Sequence, residues 1–382
     1  MKWKRVASLL AACTLAAAGV FSATLARAQT PVAAVEGEIL VGMRPGSARA
    51  ARLAQLLAGD GVVAGEQTAI RAFRVRGNGL RFQRMLSRLR RLAEVEYVEV
   101  NQVRRAAAIP SDPSWNSQYG PKKMQVDQAW DYYEPRGQVI VAVVDTGVDY
   151  DHPDLAPVLL RDSAGQVVGY NSLNGSTNAR DDDGHGTHCA GIIAARVNNG
   201  VGIAGVAGWN PRIAGSNDFV RILPVKALDR NRIGTDSSVA NGIIWAADRG
   251  AKVISLSLGA PGYSNTLNNA VTYAWNKGAL VVAAAGNAST STAYYPAACT
   301  NALSVAATDS SDTLATFSNW GSWVKVAAPG AVILSTYPGG GYANMSGTSM
   351  ACPHVAGLAA LLRSHSPTLS NNQVTALITT QV

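Results

Sequence analysis

Three residues set far apart in this chain have the types needed for acyl transfer. Ser349 stands in Gly347-Thr348-Ser349-Met350-Ala351, between a glycine turn and an apolar run, Val355 to Leu362, that predicts a buried helix. A serine at that point meets the unpaired N–H groups and the positive end of the helix, where an oxyanion would develop. Gly-Thr-Ser alone also describes an ordinary helix cap, so the partners decide. The apolar run Val139 to Val144 predicts a buried strand ending in Asp145-Thr146-Gly147, which puts a carboxylate at a strand's C-terminal edge. Gly184-His185-Gly186-Thr187-His188-Cys189 leads into Ile192-Ile193-Ala194-Ala195, so His185 opens a second helix. A serine hydroxyl needs an imidazole to take its proton, and the imidazole needs a carboxylate to fix its tautomer. Asp145, His185 and Ser349 supply all three.

Rival chemistries fit less well. Asp-Thr-Gly also occurs where two aspartates share a proton, but no second Asp-Thr-Gly or Asp-Ser-Gly is present. His185 and His188 with Cys189 suggest zinc, yet no Glu lies between the histidines as in His-Glu-x-x-His, and no CxxC pair completes a closed site. His188 is expected to be structural and hydrogen-bonded. A cysteine nucleophile at Cys189 or Cys352 lacks a visible second base. A non-catalytic binding module would normally have lost a triad member, and none is lost.

The order Asp, His, Ser and the words around it resemble the subtilisin-like serine proteases, thermitase branch, from Gln118 to Leu362. The words include Val144-Asp145-Thr146-Gly147-Val148, His152-Pro153-Asp154-Leu155, Ser255-Leu256-Ser257-Leu258-Gly259, Ala285-Gly286-Asn287 and the Ser349 motif. The resemblance implies a triad of Asp145, His185 and Ser349, with Asn287 as the side-chain oxyanion donor beside the Ser349 N–H. It further implies that Ser257, Leu258, Gly259, Ala284, Ala285 and Gly286 line the first specificity pocket. All six are small or apolar, so protein and peptide substrates with apolar or aromatic residues before the cleaved bond are expected. Substrate would add as a strand beside Ser257 to Gly259 and beside Arg232-Ile233-Gly234. Arg230 and Arg232 are either solvated loop charges or a source of preference for acidic residues upstream.

By the same resemblance one structural Ca2+ is held by the side chains of Asp112, Asp154 and Asn199 and by carbonyls of Arg196, Val201 and Ile203, an oxygen set suited to calcium. A second family site would fall on Asn171, Asn174 and Ser176, where ligand charge is missing; Asp181, Asp182 and Asp183 lie nearby, but no second ion is expected.

Lys2, Lys4 and Arg5 precede an apolar stretch, Val6 to Phe21, and Ala26-Arg27-Ala28 supplies a small-x-small site, so residues 1–28 read as a secretory signal and the protein as secreted. Leu10-Ala11-Ala12-Cys13 is the competing lipoprotein pattern. No segment reads as a membrane span. Residues 29–108 resemble an inhibitory propeptide, a small α+β domain, with a strand at Glu38 to Val41, a basic helix at Leu80 to Leu92 and a strand at Val95 to Val100. Of the chain's net charge of +8, this region carries thirteen arginines against seven acidic residues, and residues 109–382 sixteen cations against eighteen. The basic charge therefore leaves with the leader segments, which removes nucleic acid as a partner.

The remaining 274 residues suit one large domain. Apolar strands at Val139 to Val144, Ile222 to Ala227, Lys252 to Leu258, Leu280 to Ala285 and Leu303 to Ala307 alternate with helices at Asp236 to Asp248 and Asn265 to Lys277, and Gly278 suits a helix end. This predicts an α/β fold with a mostly parallel twisted sheet and helices on both faces. A monomer is expected. Asn371 to Thr380 reads as a last helix. The family usually continues beyond such a helix, so a truncated C-terminus is expected.

Overall fold

The computed structural model describes residues 34–46, 50–57, 61–77, 85–102, 109–208 and 219–381. The signal segment, Cys13 and the linker 103–108 lie outside them. The chain divides into two compact units, Arg27–Ala106 and the remainder.

The smaller unit is α+β. Strands β1 (Ala34–Met43), β2 (Val62–Gln67), β3 (Ala72–Arg76) and β4 (Val95–Gln102) form an antiparallel sheet in the order β2-β3-β1-β4, accompanied by helix α1 (Ala50–Leu57). Ile39, Val41, Phe73, Val75, Leu53, Met85 and Leu89 make its core. The predicted basic helix is described only from residue 85, where helix runs to 89. Of its sheet, β2 and β3 escaped the sequence reading. β3 alternates Phe73 and Val75 inward with Arg74 and Arg76 outward, and β2 is at most half buried, so neither forms an apolar run.

The larger unit is built on seven parallel strands: β5 (Val139–Asp145), β6 (Tyr170–Asn171), β7 (Val220–Lys226), β8 (Val253–Leu256), β10 (Leu280–Ala284), β12 (Ala302–Thr308) and β13 (Val326–Pro329), in the order β13-β12-β10-β8-β5-β7-β6. Strands buried on both faces read as continuous apolar runs, and β5 is buried along nearly its whole length. Its residues alternate between two cores. Val139, Val141 and Val143 face the layer that contains helices α4 (His185–Ala194) and α7 (Thr348–His365), while Ala142 and Val144 face helices α5 (Asp236–Asp248) and α6 (Asn265–Asn276). Short helices α2 (Tyr119–Lys123) and α3 (Val126–Trp130) precede β5, and α8 (Asn371–Gln381) closes the described chain.

Helix starts follow their caps. Thr235 and Ser238 form a capping box for α5, and the Ser264 hydroxyl accepts the Leu267 N–H at the start of α6. Gly278, at φ +81°, ends α6 as expected. β7 starts two residues earlier than predicted because Val220 and Arg221 pair with Val139 and Ile140. Two small antiparallel pieces complete the unit: β9 (Ala260–Pro261) with β11 (Tyr294–Tyr295), and a hairpin of β14 (Ile333–Tyr337) and β15 (Gly341–Met345). No helix among the described residues is long and apolar enough to cross a membrane.

Candidate active site

Asp145, Ser257 and Asn287 emerge at or just beyond the carboxyl ends of β5, β8 and β10, three adjacent strands, which is where open α/β sheets form sites. Asp145 is fully buried, and its Oδ1 lies 2.7 Å from His185 Nδ1 and accepts the Thr146 N–H at 2.7 Å. The carboxylate thereby assigns the imidazole proton to Nδ1 and leaves Nε2 as the basic nitrogen. Burial pushes the His185 pKa down, but the charge of Asp145 and its hydrogen bond push it up further, and the net direction is upward.

Ser349 is the second residue of α7, within the first turn where N–H groups have no intrahelical acceptor. Its hydroxyl donates to the Ser257 carbonyl at 3.1 Å, and the Ser257 hydroxyl returns a bond to the Ser349 carbonyl at 2.8 Å. The Ser349 hydroxyl is thus held on the backbone just beyond β8, and in enzymes of this chemistry catalytic bonds commonly tighten only when substrate is bound. Asn287 accepts the Thr348 N–H at 2.8 Å and the Thr348 hydroxyl at 2.9 Å through Oδ1. That orientation turns the amide Nδ2 into the available donor and leaves the Ser349 N–H uncommitted beside it.

The residues expected to line the specificity pocket lie at the same strand ends. Ser257, Leu258 and Gly259 continue beyond β8, and Ala284, Ala285 and Gly286 lie at the end of β10 and just past it, so the two strands end two residues and one residue before the predicted Leu258 and Ala285. Gly286 sits at φ +98°, and a Cβ there would fall 2.5 Å from Asn319 Nδ2, which bars any larger residue. Arg232, expected either as a solvated loop charge or as a source of preference for acidic residues, is half exposed and pairs with Asp183 at 2.8 Å.

Asp145 and His185 are held in place by residues whose role the sequence hid. Asp181 accepts the Thr146 hydroxyl, the Asp183 and Gly184 N–H groups, and both the N–H and hydroxyl of Thr187. Burial raises its pKa, but these hydrogen bonds win and hold it below the usual carboxylate value. Lys226, in register with Asp145, donates to the Thr146 and Leu228 carbonyls at 2.7 and 3.0 Å and to Asp182 at 2.6 Å. The three consecutive aspartates are therefore committed to protein partners. The hairpin β14–β15 grips α4: Ser335, Thr336 and Tyr337 hydroxyls donate to the His188, Thr187 and Asp183 carbonyls. His188 Nε2 meets the Ile333 and Ala343 carbonyls at 3.0 Å each, and burial lowers its pKa to about 4, so it is the expected structural histidine.

The residues assigned to Ca2+ converge. Asp112 and Asp154 are both buried, and burial raises both pKa values, each without a Lys or Arg ion pair among the described residues. Two desolvated carboxylates without a cation fit a divalent metal. The 196–203 loop is shaped by its N–H groups: Arg196 to the Asp154 carbonyl, Asn198 and Asn199 to the Asp112 carboxylate, Ile203 to the Asp154 carboxylate. The carbonyls of Arg196, Val201 and Ile203 remain as oxygen donors. The Asn199 side chain departs from the expected role: its Nδ2 donates to Asp154 at 2.7 Å and its Oδ1 accepts the Val201 N–H.

The three described cysteines are free and buried. Cys189 Sγ lies 3.9 Å from Asp145 and 3.5 Å from the Ser349 carbonyl, yet burial pushes its pKa well up, and Cys352 is raised to about 11. Protonated thiols there are no nucleophiles.

Comparison with known proteins agrees with this geometry. The Subtilase family (Peptidase S8) matches residues 136–382, and the fervidolysin N-terminal prodomain matches residues 22–101. Thermitase of Thermoactinomyces vulgaris is 52% identical over 264 residues, covering 69% of this chain and 88% of thermitase. A thermophilic serine proteinase of Bacillus sp. (strain AK1) is 51% identical over 272 residues, which cover 71% of this chain; this chain spans 63% of the length of that relative. Among solved structures, a protease of Pseudoalteromonas arctica PAMC 21717 has a TM-score of 0.63 at 32% identity, covering 72% of this chain and 92% of its own. With the parallel sheet, the Asp145–His185 pair and Ser349 at the start of α7 already established, the match over residues 136–382 means that this chain belongs to the subtilase family.

Proposed function

We propose that the protein is a secreted serine endopeptidase made as a self-processing zymogen. The observation that carries the reading is the 2.7 Å bond from His185 Nδ1 to Asp145, with Ser349 at a helix N-terminus beside the free amide of Asn287. His185 Nε2 takes the proton of the Ser349 hydroxyl as its oxygen attacks the scissile carbonyl. The oxyanion forms between the Ser349 N–H and Asn287 Nδ2, which are held in advance by Thr348 and need no reorganisation. His185 then returns the proton to the leaving amine, and water, deprotonated by the same nitrogen, releases the acyl group. Asp145 keeps the ring oriented and stabilises its charge throughout.

The small apolar walls at Ser257–Gly259 and Ala284–Gly286 support an apolar or aromatic residue before the cleaved bond. Asp112, Asp154 and the carbonyls of Arg196, Val201 and Ile203 would hold Ca2+, which, when bound, neutralises the two buried carboxylates and stiffens the loop. The prodomain is the intramolecular inhibitor, removed in the interval Arg105 to Ile109, and the mature enzyme acts as a monomer.

Casein hydrolysis tests this reading, with variants that do not mature processed in trans by an added protease that is then removed. Ser349→Ala, His185→Ala and the double variant should lose activity by similar large factors, because the members act as a unit. Asp145→Asn should be severe as well. Appreciable hydrolysis by clean Ser349→Ala, or failure of a fluorophosphonate to label wild type, refutes it.

A further inference from the structure

The hairpin β14–β15 is bound on three sides. One side grips α4 through Ser335, Thr336 and Tyr337, and β15 runs from Met345 directly into Ser346, Gly347, Thr348 and Ser349. The third side reaches the buried Asp154 carboxylate, against which the 196–203 loop packs. His152 Nε2 donates to the Gly341 carbonyl at 2.9 Å, and the Tyr342 hydroxyl donates to Asp154 Oδ2 at 2.9 Å, with the two rings edge to face at 5.3 Å. Gly202, at φ +48°, makes room for the contact: a Cβ there would fall 1.9 Å from the Tyr342 oxygen and 2.3 Å from Asp154 Oδ2.

Asp154 is therefore shared. Its Oδ1 accepts Asn199, and its Oδ2 accepts both the Ile203 N–H and Tyr342. We propose that Tyr342 is a positioning residue that couples the Asp112/Asp154 cation site to the strand leading into Ser349. With a cation held by Asp112 and Asp154, their mutual repulsion would be offset, and the charge-assisted bond from Tyr342 to a fixed Asp154 would hold β15 in place. Without the cation the two acids favour separation, Asp154 shifts, and the strand loses this anchor seven residues before the nucleophile. The same hydroxyl orients Asp154 for the metal, so the link is reciprocal. The inference rests on the peptidase reading above for the role of Ser349.

The test uses the full chain, expressed and allowed to mature, with Tyr342→Phe, which keeps the ring and removes the hydroxyl. Terbium luminescence with calcium competition reads the metal affinity. The rate of fluorophosphonate labelling, with calcium and with chelator, reads the approach to Ser349. Tyr342→Phe should bind metal about tenfold more weakly, as expected for one lost hydrogen bond to a carboxylate, and its ratio of labelling rates with and without calcium should fall toward one. In an Asp154→Ala background, adding Tyr342→Phe should change labelling no further. Unchanged metal affinity, an unchanged labelling ratio, or additive losses in the double variant each overturn the coupling. Absence of labelling in wild type would instead strike the peptidase reading, while the terbium measurement would still test the link between Tyr342 and Asp154.

Discussion

The Asp181 carboxylate accepts the Thr146 hydroxyl at 2.8 Å, and through that bond the strand end carrying Asp145 is joined to the helix start carrying His185. The same hydroxyl oxygen accepts the Gly186 N–H at 2.9 Å, so Thr146 and Asp181 together close the gap between the acid and the base. Asp181→Ala strands several buried donors at once, and each unsatisfied one costs about 1–3 kcal/mol. Stability by chemical denaturation should fall by about 3 kcal/mol or more, and kcat should fall with KM little changed. Asp181→Asn, which retains an acceptor, should lose less on both measures. Equal effects of the two variants would count against this assignment.

Asn287→Ala should reduce kcat about 100- to 1000-fold with little effect on KM, since the amide bonds the oxyanion and not the ground state. That magnitude comes from the equivalent donor in subtilisin. Steady-state kinetics on a peptide anilide would decide it, and a change confined to KM would remove Asn287 from the oxyanion site.

The pH profile follows from His185. Catalysis needs its neutral form, and its pKa is raised above the ordinary value of about 6.5 because the Asp145 charge and hydrogen bond outweigh burial. Activity should therefore be full at alkaline pH and be lost as pH falls through a midpoint above about 6.5. Arg232 lowers the same pKa, so Arg232→Ala should move the acid limb of kcat/KM toward higher pH. A shift the other way would contradict the electrostatic account.

Asp154→Ala should lower the melting temperature in calcium and speed autolysis, because a ligand bound only to the native state adds stability by mass action. Chelation should act on wild type in the same direction and have little effect on the variant. Equal melting of wild type in calcium and in chelator would exclude the ion.

Self-processing is tested by N-terminal sequencing. Ser349→Ala expressed alone should accumulate as an unprocessed chain beginning near Gln29, whereas wild type should begin between Ala106 and Ile109. The pair Arg104-Arg105 also suits a separate basic-specific protease; normal maturation of the variant without added protease would favour it.

The residues proposed as catalytic stood out because each one ends a strand or opens a helix beside glycine, so local chemistry and local structure point to the same positions. Asp145 closes β5, His185 and Ser349 stand in the first turns of their helices, and Asn287 follows Gly286. Asp181, Lys226 and Tyr342 were not legible. Their partners arrive from elsewhere in the chain, as with Tyr342 and Asp154, which are 188 positions apart, and a lone lysine at the end of an apolar strand announces nothing about what it will meet. The ion pair of Arg232 was hidden for the same reason, since its partner Asp183 comes from another loop.

The parallel sheet also governs when this chain can become dangerous to its cell. β5 is flanked by β7 and β8, strands made long after it, and Ser349 follows them all. Parallel neighbours cannot pair until the whole crossover between them exists, and contacts so distant in sequence form late and slowly. Asp145 and His185 therefore leave the ribosome with neither a finished sheet nor a nucleophile. On the proposed mechanism, a growing chain stays inert until Ser349 and every strand before it have been made.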